Sequence, residues 1–207
     1  MRLRNVKNKS EIINSCNILI NDSKTKGNWS REFGNKNPIY IEIGMGKGDF
    51  IIQNAQTYPN INFIGLEKYD SVLARAIQKV PEGLTNLRFV RMDAKNIEDF
   101  FDKEVERIYL NFSDPWPKDR HYKRRLTSDV FLTRYESIFK DSKEIHQKTD
   151  NRHLFEFSLV NIINKGYKIE DLSLDLHNDN RNSIIMSEYE KRFVEKGNVI
   201  YFLVAKK

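Results

Sequence analysis

The sequence predicts an α/β fold in which helices wrap a mostly parallel sheet of seven strands. From Ile39 onward, short apolar runs alternate with segments whose apolar residues recur at helical spacing, and this pattern is typical of a parallel sheet covered by helices. The last two apolar runs enclose a single helix, which favours an antiparallel pair at the edge of the sheet. The chain of 207 residues is long enough to bury one core and fits one main domain.

The apolar runs place the predicted strands at residues 39–43, 62–67, 87–92, 107–112, 144–148, 168–176 and 199–205. The helices between them each have one apolar side, as Leu73, Ile77 and Val80 show for the second crossover. We predict a domain over residues 38–207, preceded at 1–37 by an N-terminal helix, a basic arm and a linker. The linker is predicted at residues 21–37, which are rich in Gly, Asn, Ser and Lys.

Composition narrows the function classes. The 35 Lys and Arg residues outnumber the 29 Asp and Glu residues, giving a net charge of +6, which favours a polyanionic partner. Cys16 is the only cysteine, so an intrachain disulfide is excluded and no metal site is expected. No apolar stretch reaches the roughly 18 residues of a membrane helix, and residues 1–10 are too polar for a signal peptide. We therefore expect a cytoplasmic protein without a membrane partner.

A glycine-rich turn follows the first predicted strand. Gly44, Gly46 and Gly48 form a G-x-G-x-G pattern directly before a helix, where the backbone can approach a ligand and free N–H groups are available. This spacing differs from the G-x-G-x-x-G pattern that binds dinucleotide pyrophosphates. The alternative is that the three glycines only shape a tight turn.

Acidic residues lie at the ends of three successive predicted strands, at Glu42, Glu67 and Asp93. Ligands of open α/β sheets bind at this edge, where a carboxylate such as Glu67 can accept hydrogen bonds from ribose hydroxyls. Asp93 can meet an adenine amino group, and Glu42 a cationic amino acid moiety. Three carboxylates would repel a pyrophosphate but suit the positive charges of S-adenosylmethionine. The acids could instead cap helices, but the ordered set favours S-adenosylmethionine as the cofactor.

The loop after the fourth predicted strand reads N-F-S-D-P-W-P-K over residues 111–118. A residue before proline favours extended geometry, so we expect Asp114 and Trp116 to be extended in a stiff loop beside the cofactor. Asp114 could accept hydrogen bonds from the N1–H and N2–H edge of guanine and so orient N7. Guanine N7 carries a lone pair and no proton, so its methylation requires alignment and electrostatics rather than a general base. The alternative for Asp114 is an ordinary turn residue.

A basic run follows this loop at once. Clustered cations bind phosphates, and aromatic residues between them can stack on an unpaired base. A solvated surface is the alternative, but proximity to the loop favours RNA contact by Arg120, Lys123, Arg124 and Arg125. At the N-terminus Arg2, Arg4, Lys7 and Lys9 form either a second phosphate-binding arm or a disordered tail.

With these motifs and K-T-D-N at 148–151, the sequence resembles the bacterial tRNA (guanine-N7)-methyltransferases. The resemblance spans nearly the whole chain and includes Trp29, D-L-H-N at 175–178 and S-E-Y-E at 187–190. It implies a Rossmann-like methyltransferase fold, S-adenosylmethionine as donor and a guanine of the tRNA variable loop as target. It places Glu42, Glu67, Asp93 and Asp114 in the cofactor region. It also implies that Asp114 is the catalytic residue.

The same resemblance implies substrate binding by Lys118, Asp150, Ser187, Glu188, Tyr189 and Glu190. Two of these sites have structural alternatives. S-E-Y-E is also a capping box that could start the last helix, and Asp150 or Asn151 could cap the helix from residue 152. The sequence departs from the family at 140–144, where a glycine-bearing turn usually precedes the fifth strand, and at Gln147, which is usually apolar.

Two other functions remain open from the sequence. The likeness of S-D-P-W to D-P-P-Y loops allows a methyltransferase acting on a protein or DNA amino group, although the basic run argues against it. A module that binds tRNA without chemistry is disfavoured by the intact set of acids. No obligate protein partner is expected, and a homo-oligomer remains open.

Overall fold

The computed structural model describes residues 6, 8–179, 181 and 185–207. Eight strands form one sheet: β1 Leu19–Ile20, β2 Ile39–Ile43, β3 Asn62–Glu67, β4 Leu87–Arg91, β5 Val105–Asn111, β6 Phe139–Thr149, β7 Lys168–Ser173 and β8 Tyr201–Lys206. The α-helices are α1 Lys9–Asn14, α2 Trp29–Phe33, α3 Asp49–Thr57, α4 Asp70–Ile77, α5 Ile97–Phe100, α6 Asp129–Ile138, α7 Arg152–Asn164 and α8 Glu188–Val194. Short 3-10 helices lie at Ser23–Thr25, Ala94–Asn96 and Asp119–Arg124.

The strand order is β1-β4-β3-β2-β5-β6-β8-β7, parallel from β1 to β6 and antiparallel for β6-β8-β7. Helices cover both faces, and each face has its own apolar cluster. Trp29, Tyr135 and Phe155 belong to one cluster, whereas Phe50 and Leu73 belong to the other. Every residue of β3 is buried, as expected for a central strand covered on both faces. The predicted α/β fold with an antiparallel edge pair is confirmed.

The predicted strands at 39–43 and 62–67 have the observed bounds. Strand β6 begins earlier than predicted because α6 ends at Ile138 and the strand starts at the next residue, with no turn between them. The unusual stretch 140–144 is therefore part of β6. The two-residue strand β1, which pairs with β4, was not predicted.

The segment predicted as a linker contains α2, whose Trp29 has no exposed surface. The Trp29 indole nitrogen donates to the carbonyl of Phe100 at 2.9 Å, and its ring stacks on Phe101 with centroids 5.3 Å apart. Trp29 thus packs the α2 part of this segment against the sheet domain, while the domain division at residue 37 stays a prediction. Arg2, Arg4 and Lys7 of the predicted basic arm lie outside the described residues.

Gln147 is fully buried near the carboxyl end of β6, between Leu110 of β5 and Leu203 of β8. Neither its amide nitrogen nor its amide oxygen has a hydrogen-bond partner among the described residues. A buried polar group without partners destabilises the folded state. The amide that distinguishes this strand from the family pattern therefore weakens the core.

We predict that Gln147→Leu raises the free energy of unfolding by about 1–2 kcal/mol, because it removes an unpaired buried amide at similar volume. Urea denaturation followed by circular dichroism measures this change. Gln53→Leu is the matched control: the Gln53 amide donates to the carbonyl of Asp49 at 2.9 Å, so its loss should not stabilise the protein. A destabilised Gln147→Leu variant would contradict the prediction.

Candidate active site

The carboxyl ends of the parallel strands β2 to β5 meet at one edge of the sheet, where two clefts adjoin. One cleft of about 650 Å³ is lined by Glu67, Asp93 and Asp114, and a second of about 840 Å³ is lined by Glu42 and Gly46. Gly44 and Phe112 line both clefts. The structure therefore brings the four acids of the predicted cofactor region to one continuous surface.

Glu42 is the most deeply buried of these acids, with 2% of its surface exposed. Its Oε1 accepts a hydrogen bond from the Asn111 side chain at 2.9 Å, whereas its Oε2 has no partner among the described residues. Burial raises the pKa of Glu42 to about 8, although Asn111 and the Lys148 ammonium act in the opposite direction. Glu42 is thus a buried carboxyl that lacks a full set of partners.

Glu67 organises the glycine-rich loop. Its Oε2 accepts from the backbone N–H of Gly46 at 3.2 Å, and its Oε1 accepts from those of Lys68 and Tyr69 at 2.8 and 3.0 Å. Burial raises its pKa while these bonds oppose the rise. Gly44 and Gly46 have φ of 75° and 59°, and a Cβ on either would meet no atom within 4 Å. The loop backbone is therefore open toward the clefts.

Asp93 caps the short 3-10 helix that follows β4. Its Oδ1 accepts from the backbone N–H of Lys95 at 3.1 Å, which is the helix-capping alternative that the sequence left open. Asp93 still lines the first cleft. The ammonium of Lys68, which lines the same cleft, interacts electrostatically with both Asp93 and Asp114.

The loop after β5 is held in an unusual backbone geometry. Phe112 and Trp116 have φ of 52° and 43°, so the prediction of extended geometry at Trp116 is wrong. The Arg125 guanidinium explains how this geometry is held, since it donates to the carbonyls of Pro115 and Trp116, each at 3.0 Å. Asp114 is exposed on this loop and makes no hydrogen bond or ion pair with the rest of the described chain.

The basic run divides into two groups. Lys123 and Arg124 are exposed and line the first cleft, and the Arg124 guanidinium lies 4.8 Å from the centroid of the Trp116 ring. Lys118 and Arg120 are exposed beside it. Arg125 differs, because its guanidinium is occupied by the loop carbonyls and packs over Phe157. The predicted contact of Arg125 with RNA would compete with its hydrogen bonds to the carbonyls of Pro115 and Trp116.

The structure places Asp150 and Tyr189, two of the residues predicted to bind the substrate, near each other. The Asn151 side chain caps α7 by accepting a hydrogen bond from the backbone N–H of Leu154 at 2.8 Å. The Asp150 side chain is therefore not the cap of this helix. The hydroxyl of Tyr189 interacts electrostatically with both Asp150 and Asp114. The ring of Tyr189 lies 5.0 Å from that of Phe112 and is exposed. Asp114 and Asp150 therefore both lie near Tyr189.

The S-E-Y-E turn forms the capping box that was the structural alternative for these residues. The Ser187 hydroxyl accepts from the backbone N–H of Glu190 at 3.1 Å, and the Glu190 carboxylate accepts from that of Ser187 at 3.4 Å. Glu190 is 1% exposed and also accepts hydrogen bonds from the Lys148 ammonium at 3.0 and 3.1 Å. Glu190 thus has internal partners, and its predicted contact with the substrate stays a prediction.

Three polar residues of this region were not assigned from the sequence. The Asn111 side chain donates a hydrogen bond to Glu42, and the Lys148 ammonium donates to Glu190. The Lys47 ammonium donates to Glu188 at 2.8 Å. Asn111 and Lys148 belong to the N-F-S-D and K-T-D-N motifs that were noted. A lysine within a predicted buried strand indicates a buried acidic partner, because lysine is rarely buried unpaired.

Comparison with known proteins decides the family. Residues 36–203 match the family model described as "Putative methyltransferase". The tRNA (guanine-N(7)-)-methyltransferase of Lachnoclostridium phytofermentans is 52% identical over 209 aligned residues, covering 99% of this chain and 98% of the relative. The protein of the same name from a Geobacillus species is 50% identical, covering 97% and 93%. This chain belongs to the tRNA (guanine-N(7)-)-methyltransferase family.

Solved structures agree on the fold of this family member. A structure described as that of an antibiotic-related methyltransferase superposes with a TM-score of 0.65 at 20% identity, covering 87% of this chain and 92% of that one. The 16S rRNA methyltransferase KamB superposes with a TM-score of 0.66 at 12% identity and the same coverage. These similarities show the Rossmann-like methyltransferase fold that the resemblance implied.

The cosubstrate of a tRNA (guanine-N(7)-)-methyltransferase is S-adenosylmethionine, and the site fits it. The unpartnered Oε2 of buried Glu42 is suited to a cationic group, and the open backbone at Gly44 and Gly46 allows close approach. Among residues 6, 8–179, 181 and 185–207, no cluster of three or more His, Cys, Asp or Glu could hold a metal ion. No helix in the described part of the chain is long and apolar enough to cross a membrane.

The pKa of Glu42 leads to a prediction about stability. The folded protein holds this proton up to about pH 8, whereas the usual value is 4.5. The stability contributed by the protonated form is therefore fully present below pH 4.5 and is lost as the pH rises through about 8. Glu42→Gln does not titrate, so between pH 5 and pH 8 it should gain about 1 kcal/mol or more relative to the wild type.

Urea denaturation of both proteins at the two pH values measures this gain. Glu82→Gln, which removes an exposed carboxyl, should leave the pH dependence unchanged. A difference between Glu42→Gln and the wild type that is the same at pH 5 and pH 8 would show that Glu42 is ionised throughout.

Proposed function

We propose that this chain transfers the methyl group of S-adenosylmethionine to N7 of a guanine in the tRNA variable loop. The observation that carries the proposal is the 52% identity, over nearly the full length, to a protein named tRNA (guanine-N(7)-)-methyltransferase. The site supports it, because its carboxylates suit a cationic donor and its rim is basic. The partner is accordingly tRNA and the compartment the cytoplasm, with no obligate protein partner.

S-adenosylmethionine, when bound, supplies an electrophilic methyl group on a positively charged sulfur. Glu42 lies where it can bind the ammonium of the amino acid moiety, since its Oε2 lacks a partner. Glu67 would accept hydrogen bonds from the ribose hydroxyls, and Asp93 would meet the adenine amino group across the first cleft. Gly44 and Gly46 leave their backbone accessible between these carboxylates.

Asp114 is the proposed catalytic residue and borders the cofactor cleft. Its exposed carboxylate can accept hydrogen bonds from N1–H and N2–H of guanine, which fixes the direction in which N7 points. Because N7 has no proton to lose, the carboxylate acts by alignment and by stabilising the positive charge that develops on the purine. The Arg125 bonds to Pro115 and Trp116 hold the loop that carries it.

Tyr189 lies near both Asp150 and Asp114, and we assign Asp150 and Tyr189, with Ser187, to the target base. Lys118, Arg120, Lys123 and Arg124 form the exposed basic rim and are assigned to the RNA backbone. A base held in tRNA tertiary contacts must leave its stack to reach such a cleft. Trp116, beneath the Arg124 guanidinium, offers an aromatic surface near that path.

The test is a tritiated methyl-transfer assay on unmodified tRNA transcripts, with nucleoside analysis of the product. We expect label in 7-methylguanosine, and none when adenine replaces the variable-loop guanine. Label in another nucleoside, or label that persists in the adenine transcript, would contradict the proposed target.

In the same assay we expect Asp114→Ala to lower kcat by at least about 100-fold, because a fixed electrostatic partner of the base is lost. Folding should be unaffected, since Asp114 is exposed and makes no hydrogen bond or salt bridge with the other described residues. Asp119→Ala, which removes an exposed acid of the neighbouring 3-10 helix, is the control. Near-normal turnover by Asp114→Ala would show that Asp114 is not a catalytic residue.

Arg124 and Arg125 should respond differently to substitution despite being neighbours. Arg124→Ala should weaken tRNA binding and reduce the slope of log K against log salt by about 1, because one phosphate contact is lost. Arg125→Ala should lower kcat while leaving the slope unchanged, since its guanidinium holds loop carbonyls. Filter binding at several salt concentrations separates the two, and equal slope changes would show that both contact phosphate.

A further inference from the structure

The two glutamates of the S-E-Y-E turn are each bound by a lysine from a different part of the site. Glu190 is buried against Lys148 of β6. Glu188 is half-buried, and both of its oxygens lie 2.8 Å from the Lys47 ammonium. Lys47 stands in the glycine-rich loop, between Gly46 and Gly48. The turn is therefore anchored to the sheet on one side and to the cofactor loop on the other.

The Lys47 contact links two loops that bind different ligands in the proposed function. Lys47 follows Gly46, whose backbone N–H is bound by Glu67, so its position depends on the loop that faces the cofactor. Glu188 directly precedes Tyr189, which lies near both Asp114 and Asp150. A shift of either loop must change the Lys47–Glu188 distance or move the other loop with it.

Glu188 is surrounded by cations. The Lys79 ammonium lies 3.6 Å from its Oε2, and Arg192 of the same helix also donates to it. The hydrogen bond from Lys47 is the main reason that the pKa of Glu188 lies below its usual value. This carboxylate is already occupied by three basic side chains, which favours a positioning role over a direct hydrogen bond to guanine.

We propose that Lys47 is a positioning residue, and that its ion pair with Glu188 makes the binding of the methyl donor and the binding of tRNA mutually reinforcing. The inference rests on the proposed function and goes beyond it. A ligand that fixes the glycine-rich loop also fixes the S-E-Y-E turn, so the second ligand meets a site that is already arranged. Such coupling is reciprocal: each ligand tightens the other by the same factor.

The experiment is calorimetric titration of the full chain with S-adenosylhomocysteine, which cannot donate a methyl group, with and without unmodified tRNA. In the wild type we expect tRNA to lower the Kd for S-adenosylhomocysteine by roughly 5-fold or more, within the usual range of coupling between sites. In Lys47→Met this factor should fall toward 1, while the Kd for tRNA alone stays unchanged. A factor of 1 in the wild type, or an unchanged factor in Lys47→Met, would overturn the proposal.

Two further variants separate coupling from a general effect of charge. Lys79→Met removes another cation near the same carboxylate, together with an ion pair to Asp49 of α3, but leaves the Lys47–Glu188 pair in place, so the coupling factor should persist. The double variant Lys47→Met with Glu188→Gln should lose no more coupling than either single variant, because the two residues act through one contact. Loss of coupling in Lys79→Met, or additive losses in the double variant, would contradict the specific pair.

The titration does not depend on turnover. A wild type that shows coupled binding but forms no 7-methylguanosine would disprove the proposed function and leave the coupling intact. Normal methylation together with independent binding of the two ligands would support the proposed function and disprove the coupling.

Discussion

Parallel pairing of β4, β3, β2 and β5 is the constraint on which the site depends. Because these four strands run in the same direction, their carboxyl ends meet at one edge. The residues at or just beyond those ends are Glu42, Glu67, Asp93 and Asp114. A chain that places one acid at or just beyond the end of each strand therefore assembles a set of carboxylates at one edge of the sheet.

The site carries a cost in stability that its ligand can offset. Glu42, Lys148 and Glu190 lie close together in the interior, and Lys148 is paired with Glu190. When Glu42 is ionised, the two carboxylates and the Lys148 ammonium together carry one net negative charge. A buried charge without a partner is expensive, and a ligand ammonium would supply the missing charge. The burial that raises the pKa of Glu42 thus also favours a cationic ligand at this carboxyl.

Much of this arrangement could be predicted from the sequence because it depends on local pattern. Short apolar runs placed β2 and β3, and acids at the predicted strand ends located the cofactor edge. The tertiary uses of side chains were not accessible in the same way. Arg125 reads as one more cation of a basic run, yet its guanidinium holds loop carbonyls. The φ of 43° at Trp116 contradicts a local rule because this long-range contact overrides it. Strand β1 is only two residues long and gives no periodicity.

The most direct test of the account is methyl transfer to a tRNA transcript that carries 7-deazaguanine at the variable-loop target, compared with the same transcript carrying guanine. The two transcripts differ by one ring atom at the reacting position and keep the N1–H and N2–H edge that Asp114 is proposed to bind. We expect equal tRNA affinity, full methylation of the guanine transcript and none of the 7-deazaguanine transcript. Methylation of the 7-deazaguanine transcript would contradict N7 as the acceptor, and loss of its binding would contradict recognition through the N1–H and N2–H edge.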